Sequence, residues 1–178
     1  MCGIVGAVAQ RPVSGILLEG LRRLEYRGYD SAGLAVIEGE EIQRLRRAGK
    51  VENLTQAEQD APLKGFSGIA HTRWATHGKP TENNAHPHMS GDDLAIVHNG
   101  IIENFEPLKK QLQSEGFVFT SDTDTEVIAH LVARAVGQGK SLQDAFLETV
   151  SHLEGAFALG VLHKDYPNQI LASRKGSP

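Results

Sequence analysis

The chain has little of several features that would assign it to a class at once. It holds a single cysteine among 178 residues, so it forms no internal disulfide and suits a reducing compartment. No run approaches the roughly 20 apolar residues of a membrane-spanning helix, and residues 1–20 hold no signal-peptide pattern. The net charge of −4 gives no electrostatic reason to expect nucleic acid or an anionic membrane as a partner. We therefore expect a cytoplasmic protein.

Motifs for bound metals and phosphates are also missing. The sequence lacks His-Glu-x-x-His and any cysteine pair, and it has no glycine-rich phosphate loop with the full fingerprint spacing. A cluster of histidines in one part of the chain is weak evidence for a metal: His71, His77, His86, His88 and His98. We expect no metal and no cofactor.

What is present fits one folded domain. A chain of 178 residues with 40% hydrophobic and 22% charged residues can bury a substantial core. Short apolar segments predict strands at 4–9, 33–37, 41–46, 68–72, 94–98, 117–120, 156–162 and 169–173. Apolar residues at helical spacing predict helices at 12–24, 51–59, 105–115, 125–136 and 142–153. The strands at 33–37 and 41–46 are predicted to form one hairpin, and those at 156–162 and 169–173 another. Short strands mixed with helices predict an α+β layered fold with largely antiparallel sheets.

The position of the one cysteine is the most informative feature present. Cys2 follows Met1, and a small second residue generally permits removal of the initiator methionine. Cys2 would then carry both a thiol, with a pKa of about 8.5 when free, and an α-amine, with a pKa of about 7.7–8.0. One residue could thus supply nucleophile and base. The alternative is that Cys2 is a small apolar residue opening a buried strand.

Three other segments have a functional and a purely structural interpretation. Arg73 offers a planar guanidinium that matches a carboxylate, and Trp74 offers an apolar face. Together they predict a pocket for a small ligand that carries a carboxylate. The alternative is that Arg73 forms a surface ion pair and Trp74 lies in the core. Asn99 and Gly100 could supply oxyanion-hole donors or form an ordinary turn. Asp124 could hold a ligand ammonium group or lie in a helix N-cap.

Five sequence blocks occur in a fixed order along the chain: residues 1–6, 27–33, 72–78, 98–100 and 123–126. Together they resemble the N-terminal-nucleophile glutamine amidotransferase domain, and they are highly specific only in combination. The resemblance covers essentially the whole chain. The complete sequences of residues 24–33 and 73–78 are most similar to those of the glucosamine-6-phosphate synthases, and less similar to those of amidophosphoribosyltransferases and asparagine synthetases.

The resemblance implies a role for each matching residue. Cys2, freed of Met1, attacks the side-chain amide of L-glutamine while its α-amine carries the proton, and this route uses no metal and no cofactor. Asn99 and the Gly100 N–H form the oxyanion hole. The remaining roles concern substrate binding: Arg73 with Thr76 and His77 on the α-carboxylate, Asp124 with Gly100 on the α-ammonium, and Trp74 and Arg27 closing over the pocket.

The resemblance also implies a fold and partners. The fold is a four-layer αββα sandwich of two antiparallel sheets flanked by helices, of the N-terminal-nucleophile hydrolase type. We expect residues 1–178 to be a glutaminase domain that is incomplete at its C-terminus. A sugar-phosphate isomerase half, absent here, would complete an enzyme that makes glucosamine 6-phosphate from fructose 6-phosphate and forms a homodimer through that half.

Two alternatives to this assignment remain open. The domain could serve another acceptor, such as phosphoribosyl pyrophosphate, in which case the second half would differ. It could also be a catalytically silent glutamine-binding fragment. Binding of glutamine without release of ammonia would favour the second alternative.

Overall fold

The computed structural model describes residues 2–74 and 79–176. Its strands are β1 (Gly3–Val8), β2 (Ser31–Glu38), β3 (Glu41–Ala48), β4 (Ser67–Arg73), β5 (His88–Ser90), β6 (Leu94–Ile102), β7 (Gly155–His163) and β8 (Leu171–Lys175). Its helices are α1 (Ser14–Leu24), α2 (Val51–Asp60), α3 (Phe105–Ser114), α4 (Thr125–Gly137) and α5 (Leu142–His152), with short 3₁₀ turns at Glu25–Arg27 and Glu82–Asn84. None of these helices is long and apolar enough to cross a bilayer.

The strands form two four-stranded sheets. The first has the order β1-β4-β2-β3 and the second the order β5-β6-β7-β8. All neighbouring strands run antiparallel. The hairpins predicted for β2 with β3 and for β7 with β8 are confirmed.

The core divides into three apolar layers, which gives the molecule four layers of secondary structure. Helices α1 and α2 pack on the first sheet, and α4 and α5 pack on the second, with α3 against α4. Between the two sheets lies a smaller cluster that contains Ala35, Ile37, Ile69, Ala95, Val97 and Leu162. The predicted αββα sandwich is therefore confirmed, because each sheet buries one face under helices and the other against its partner sheet.

The inter-sheet layer explains where the site lies. Strands β1, β4 and β6 contribute apolar side chains to this layer, among them Ile4, Ile69 and Val97. Because successive side chains in a strand point to opposite faces, residues two positions away lie on the same face. The inter-sheet rows are thus continued, at one end of the sandwich, by Cys2, His71, Arg73 and Asn99.

Three details of the predicted elements are wrong. The short strand β5 lies where no strand was predicted. Residues 117–120 form no strand; the Thr120 N–H donates instead to the carboxylate of Glu126, and Val118 is exposed. Strand β6 does not end at residue 98 but continues to Ile102, with Asn99 opposite Ala158 in β7. The proposal of an ordinary Asn-Gly turn is therefore also wrong.

Candidate active site

Cys2 lies immediately before β1, beside the end of β4. Its Sγ accepts a hydrogen bond from the Trp74 backbone N–H, with 3.1 Å between sulfur and nitrogen, and lies 3.5 Å from the Trp74 carbonyl oxygen. Burial raises the pKa of the Cys2 thiol above its usual value, and the Trp74 N–H partly opposes this shift. The thiol is therefore mostly protonated at neutral pH, and its use as a nucleophile requires a base.

Asn99 brings an amide to the same place from the second sheet. Its Nδ2 donates to the Cys2 carbonyl oxygen at 3.2 Å, and its Oδ1 lies 2.8 Å from His71 Nε2. Cys2, Arg27 and Asn99 line one cleft of about 390 Å³, a size in the ordinary range for small-molecule sites. The remaining lining residues are Gly3, Ile4, Leu24, Ala158, Leu159, Ala172, Ser173 and Arg174.

Gly100 has a backbone conformation that only glycine adopts easily. Its φ is +121°, and a Cβ added there would lie 2.0 Å from the Ala156 carbonyl oxygen. The residue is nevertheless exposed, although it is paired with Phe157 in the sheet. The sequence Asn99-Gly100 thus holds an exposed stretch of backbone in a fixed, unusual geometry next to the amide that contacts Cys2.

The structural interpretation placed Arg73 at the surface and Trp74 in the core, and the structure shows the reverse. Arg73, the last residue of β4, is 3% exposed, whereas Trp74 is 49% exposed. The Arg73 guanidinium donates to the Lys79 carbonyl oxygen at 3.3 Å and lies 3.9 Å from Asp30 Oδ1. The Trp74 ring packs edge-to-face on Tyr29, with 5.5 Å between centroids. A buried cation and an exposed aromatic surface therefore lie side by side at the thiol.

Asp124 is buried immediately before α4. Its Oδ2 accepts a hydrogen bond from the Ile102 N–H at 2.8 Å, and its Oδ1 lies 3.8 Å from His98 Nδ1. Asp124 occupies the N-cap position of α4, as the structural interpretation expected, but its side chain forms no capping hydrogen bond. The bond to Ile102 fixes this carboxylate at the end of β6, two residues beyond Gly100.

A buried glutamate that sequence reasoning missed shapes the segment before Asp124. The Glu126 carboxylate accepts from the backbone N–H and hydroxyl of Thr120 and from those of Ser121. Its side chain is 3% exposed. In the sequence Glu126 is only an acidic residue in the first turn of a helix. Such residues are common because they interact favourably with the helix dipole, so nothing in the sequence singles Glu126 out.

The histidines form a buried polar layer behind the site. The Thr125 hydroxyl lies 2.8 Å from His86 Nε2 and 2.9 Å from His98 Nδ1, and the His71 and His86 rings stack with 4.1 Å between centroids. Burial lowers the pKa of His86 and His98, and it lowers the pKa of His71 to about 3. These imidazoles are therefore neutral at physiological pH.

Two predicted site residues, Thr76 and His77, lie outside the described residues. Within the described part of the chain, no group of three or more His, Cys, Asp or Glu side chains is arranged to hold a metal ion. Arg27, in the 3₁₀ turn after α1, lines the cleft.

Comparisons with known proteins bear on this geometry. Residues 71–175 match the model of a family described as a glutamine amidotransferase domain. The glutamine–fructose-6-phosphate aminotransferase [isomerizing] of Acinetobacter baylyi is 60% identical over 178 residues, which is 100% of this chain and 29% of that protein. The enzyme of the same name from Escherichia coli K12 is 59% identical over 179 residues, which again is 100% of this chain and 29% of that protein. The chain thus spans 29% of the length of these curated relatives.

A solved structure shares the fold. Glutamine phosphoribosylpyrophosphate amidotransferase from B. subtilis, complexed with ADP and GMP, superposes with a TM-score of 0.79 at 30% sequence identity. The match covers 92% of this chain and 35% of that one. The arrangement of two sheets between helices is therefore common to this chain and to that amidotransferase structure.

Proposed function

The chain belongs to the family of glutamine amidotransferase domains, and we propose that it hydrolyses the side-chain amide of L-glutamine at Cys2. One observation carries the proposal: Cys2 and Asn99 line the same cleft, and the Asn99 amide bonds to the Cys2 backbone at 3.2 Å. The proposed nucleophile, next to one sheet, and the proposed oxyanion donor, in the other sheet, are thereby held close together.

The proposed reaction begins with the neutral thiol. Once Met1 is removed, the α-amine of Cys2 takes the thiol proton, and Sγ attacks the side-chain carbonyl carbon of glutamine. The oxygen gains negative charge, which the Asn99 Nδ2–H and the Gly100 N–H stabilise. The amine then passes the proton to the departing nitrogen, which leaves as ammonia. Water attacks the resulting thioester and releases glutamate and the free thiol.

A zwitterionic substrate needs one fixed cation and one fixed anion. We assign the α-carboxylate of glutamine to Arg73, whose planar guanidinium matches a carboxylate, with assistance from Thr76 and His77. The α-ammonium goes to Asp124 with Gly100. Support comes from the burial of both charged groups, since a buried charge interacts more strongly with a ligand than an exposed one. Arg27 and Trp74 cover the bound substrate.

For the whole protein we propose transfer of the released nitrogen to fructose 6-phosphate, giving glucosamine 6-phosphate. The names and 60% identity of the relatives support this acceptor over phosphoribosyl pyrophosphate, for which the identity is 30%. In this proposal residues 1–178 are the glutaminase domain, a sugar-phosphate isomerase half follows, and the homodimer forms through that half. A cytoplasmic location is supported by the free thiol of Cys2, which a reducing compartment preserves.

The test is ammonia release from glutamine by the chain, with Cys2→Ser as the matched variant. The intact mass is measured before and after incubation with a diazoketone analogue of glutamine. We expect loss of the Met1 mass, one adduct that glutamine blocks, and no turnover by Cys2→Ser. A processed chain that binds glutamine by calorimetry but releases no ammonia would establish the silent module instead.

A further inference from the structure

The described hydrogen bonds join Asn99 to one buried side chain, His71. His71 lies in β4 on the inter-sheet face and is 1% exposed. Its Nε2 lies 3.0 Å from the His98 carbonyl oxygen and 2.8 Å from Asn99 Oδ1. The imidazole therefore contacts the backbone on one side of Asn99 and the Asn99 side chain itself.

The protonation of His71 follows from its partners. A backbone carbonyl only accepts hydrogen bonds, so the contact with the His98 oxygen requires a hydrogen on Nε2. The Nδ1 atom is buried and has no hydrogen-bond partner among the described residues, which suits the unprotonated nitrogen of a neutral ring. Burial lowers the pKa of His71 to about 3, and the ring therefore keeps this form across the range in which the protein is assayed.

The orientation of Asn99 follows in turn. The oxygen and nitrogen of an asparagine amide are distinguished by their hydrogen-bond partners, and a donor at His71 Nε2 requires the oxygen on its side. The Asn99 nitrogen must then face the opposite way, toward Cys2, where one of its two hydrogens bonds to the Cys2 carbonyl oxygen. The second hydrogen is the one that an oxyanion on the substrate would take.

We infer that His71 is a positioning residue that orients the Asn99 amide, so that its N–H groups and not its oxygen face the reacting carbonyl. This inference rests on the proposed function of Cys2 and Asn99. His71 itself transfers no proton and touches no substrate atom; it acts as a neutral donor at Nε2. Rotation of the Asn99 amide by half a turn would place an oxygen against the developing negative charge and destabilise the transition state.

The experiment compares His71→Phe with His71→Gln in glutamine hydrolysis. Phenylalanine keeps the ring that stacks on His86 but has no donor, whereas the glutamine amide N–H replaces the Nε2 donor. We expect His71→Phe to lower kcat by about 10- to 100-fold, less than or comparable to removal of an oxyanion donor, with KM within about 3-fold of wild type. His71→Gln should recover most of kcat. Equal activity of all three proteins would overturn the inference, as would equal loss in both variants.

Two further measurements separate positioning from damage to the fold. Alkylation of Cys2 by iodoacetamide forms a carbon–sulfur bond with loss of iodide and no oxyanion, so its rate should be unchanged in His71→Phe. In an Asn99→Ala background, His71→Phe should change kcat by less than about 3-fold, because the group it orients is gone. A large additional loss there would show that His71 acts elsewhere. His71→Met replaces His71→Phe in both measurements if the phenylalanine variant does not fold.

Failure of the proposed function is recognised separately. In that case the wild-type chain itself releases no ammonia from glutamine, before any His71 variant is compared. A wild type that is active, together with an inactive Cys2→Ser, establishes the reaction on which the His71 comparison is then made.

Discussion

The carboxylate of Asp124 accepts a hydrogen bond from the backbone N–H of Ile102, with 2.8 Å between Oδ2 and nitrogen. Asp124→Asn keeps an oxygen for this bond but removes the charge proposed for the substrate ammonium. We expect KM for glutamine to rise at least about 10-fold, about 1.4 kcal/mol, with little change in the free energy of unfolding. Asp124→Ala should also lower that free energy by about 1–3 kcal/mol. Ammonia release and urea unfolding measure the two effects, and an unchanged KM in Asp124→Asn would remove the ammonium assignment.

Gly100 allows a prediction about stability. Gly100→Ala combines a strained φ of +121° with a Cβ placed 2.0 Å from the Ala156 carbonyl oxygen. We expect it to lower the free energy of unfolding by about 3 kcal/mol or more. Gly91→Ala is the matched control, since Gly91 also has a positive φ, +58°, but open space around it; about 1 kcal/mol is expected there. Similar urea midpoints for the two variants would contradict the steric argument.

Glu126 allows a second prediction about stability. In Glu126→Gln an amide nitrogen replaces one oxygen, which leaves buried donors of Thr120 and Ser121 without an acceptor. We expect a loss of about 2–4 kcal/mol in the free energy of unfolding, and a raised KM because the same segment leads to Asp124. Glu19→Gln, at an exposed pair with Arg23, should cost less than about 1 kcal/mol. The prediction fails if thermal unfolding shows the same shift for both.

The buried histidines predict a dependence of stability on pH. Burial lowers the pKa of His71, His86, His88 and His98 below the usual 6.5. Below pH 6.5 the unfolded chain therefore takes up protons that the folded chain does not, so the stability present above this pH is lost as the pH falls toward 3.

The size of this effect follows from the same linkage. Between pH 7.5 and 5.5 the three histidines whose pKa is lowered furthest, His71, His86 and His88, should each remove about 1.4 kcal/mol from the free energy of unfolding, or about 4 kcal/mol together. His98, whose pKa is also lowered, acts in the same direction. Urea unfolding at the two pH values measures the difference. Equal stability at both values would show that the four imidazoles are not kept neutral by the fold.

The elements of the fold could be predicted because their apolar pattern follows from burial. The residues of β2 are almost all apolar because the strand is buried on both faces, whereas β3 mixes apolar and charged residues because it is partly exposed. The helices repeat apolar residues at the helical period of about 3.6 residues. Residues 117–120 carry the same signal as a strand, yet Glu126 takes the Thr120 N–H. A side chain six residues away that competes for the backbone leaves no trace in local composition, so this error has a physical cause.

The candidate site was predictable in part for a different reason. Cys2 was recognisable from its place in the chain, and Arg73 from the chemistry of its guanidinium. The role of His71 was not, because the sequence shows only one histidine among several between 71 and 98. Alternation from Ile69 places His71 on the inter-sheet face, and alternation from Val97 does the same for Asn99. Only the packing of β4 against β6, between the two sheets, shows that these rows meet.

The Thr125 hydroxyl has one hydrogen to give, and two imidazoles contact it. If it donates to His98, then His86 donates to it through Nε2, and the proton of His98 lies on Nε2; if it donates to His86, the proton of His86 lies on Nδ1. Neither His98 Nε2 nor His86 Nδ1 has a partner among the described residues. Among the described residues each arrangement therefore leaves one buried N–H without a partner, which costs about 1–3 kcal/mol. The neutral imidazoles behind the thiol thus lower the stability of the fold that holds them.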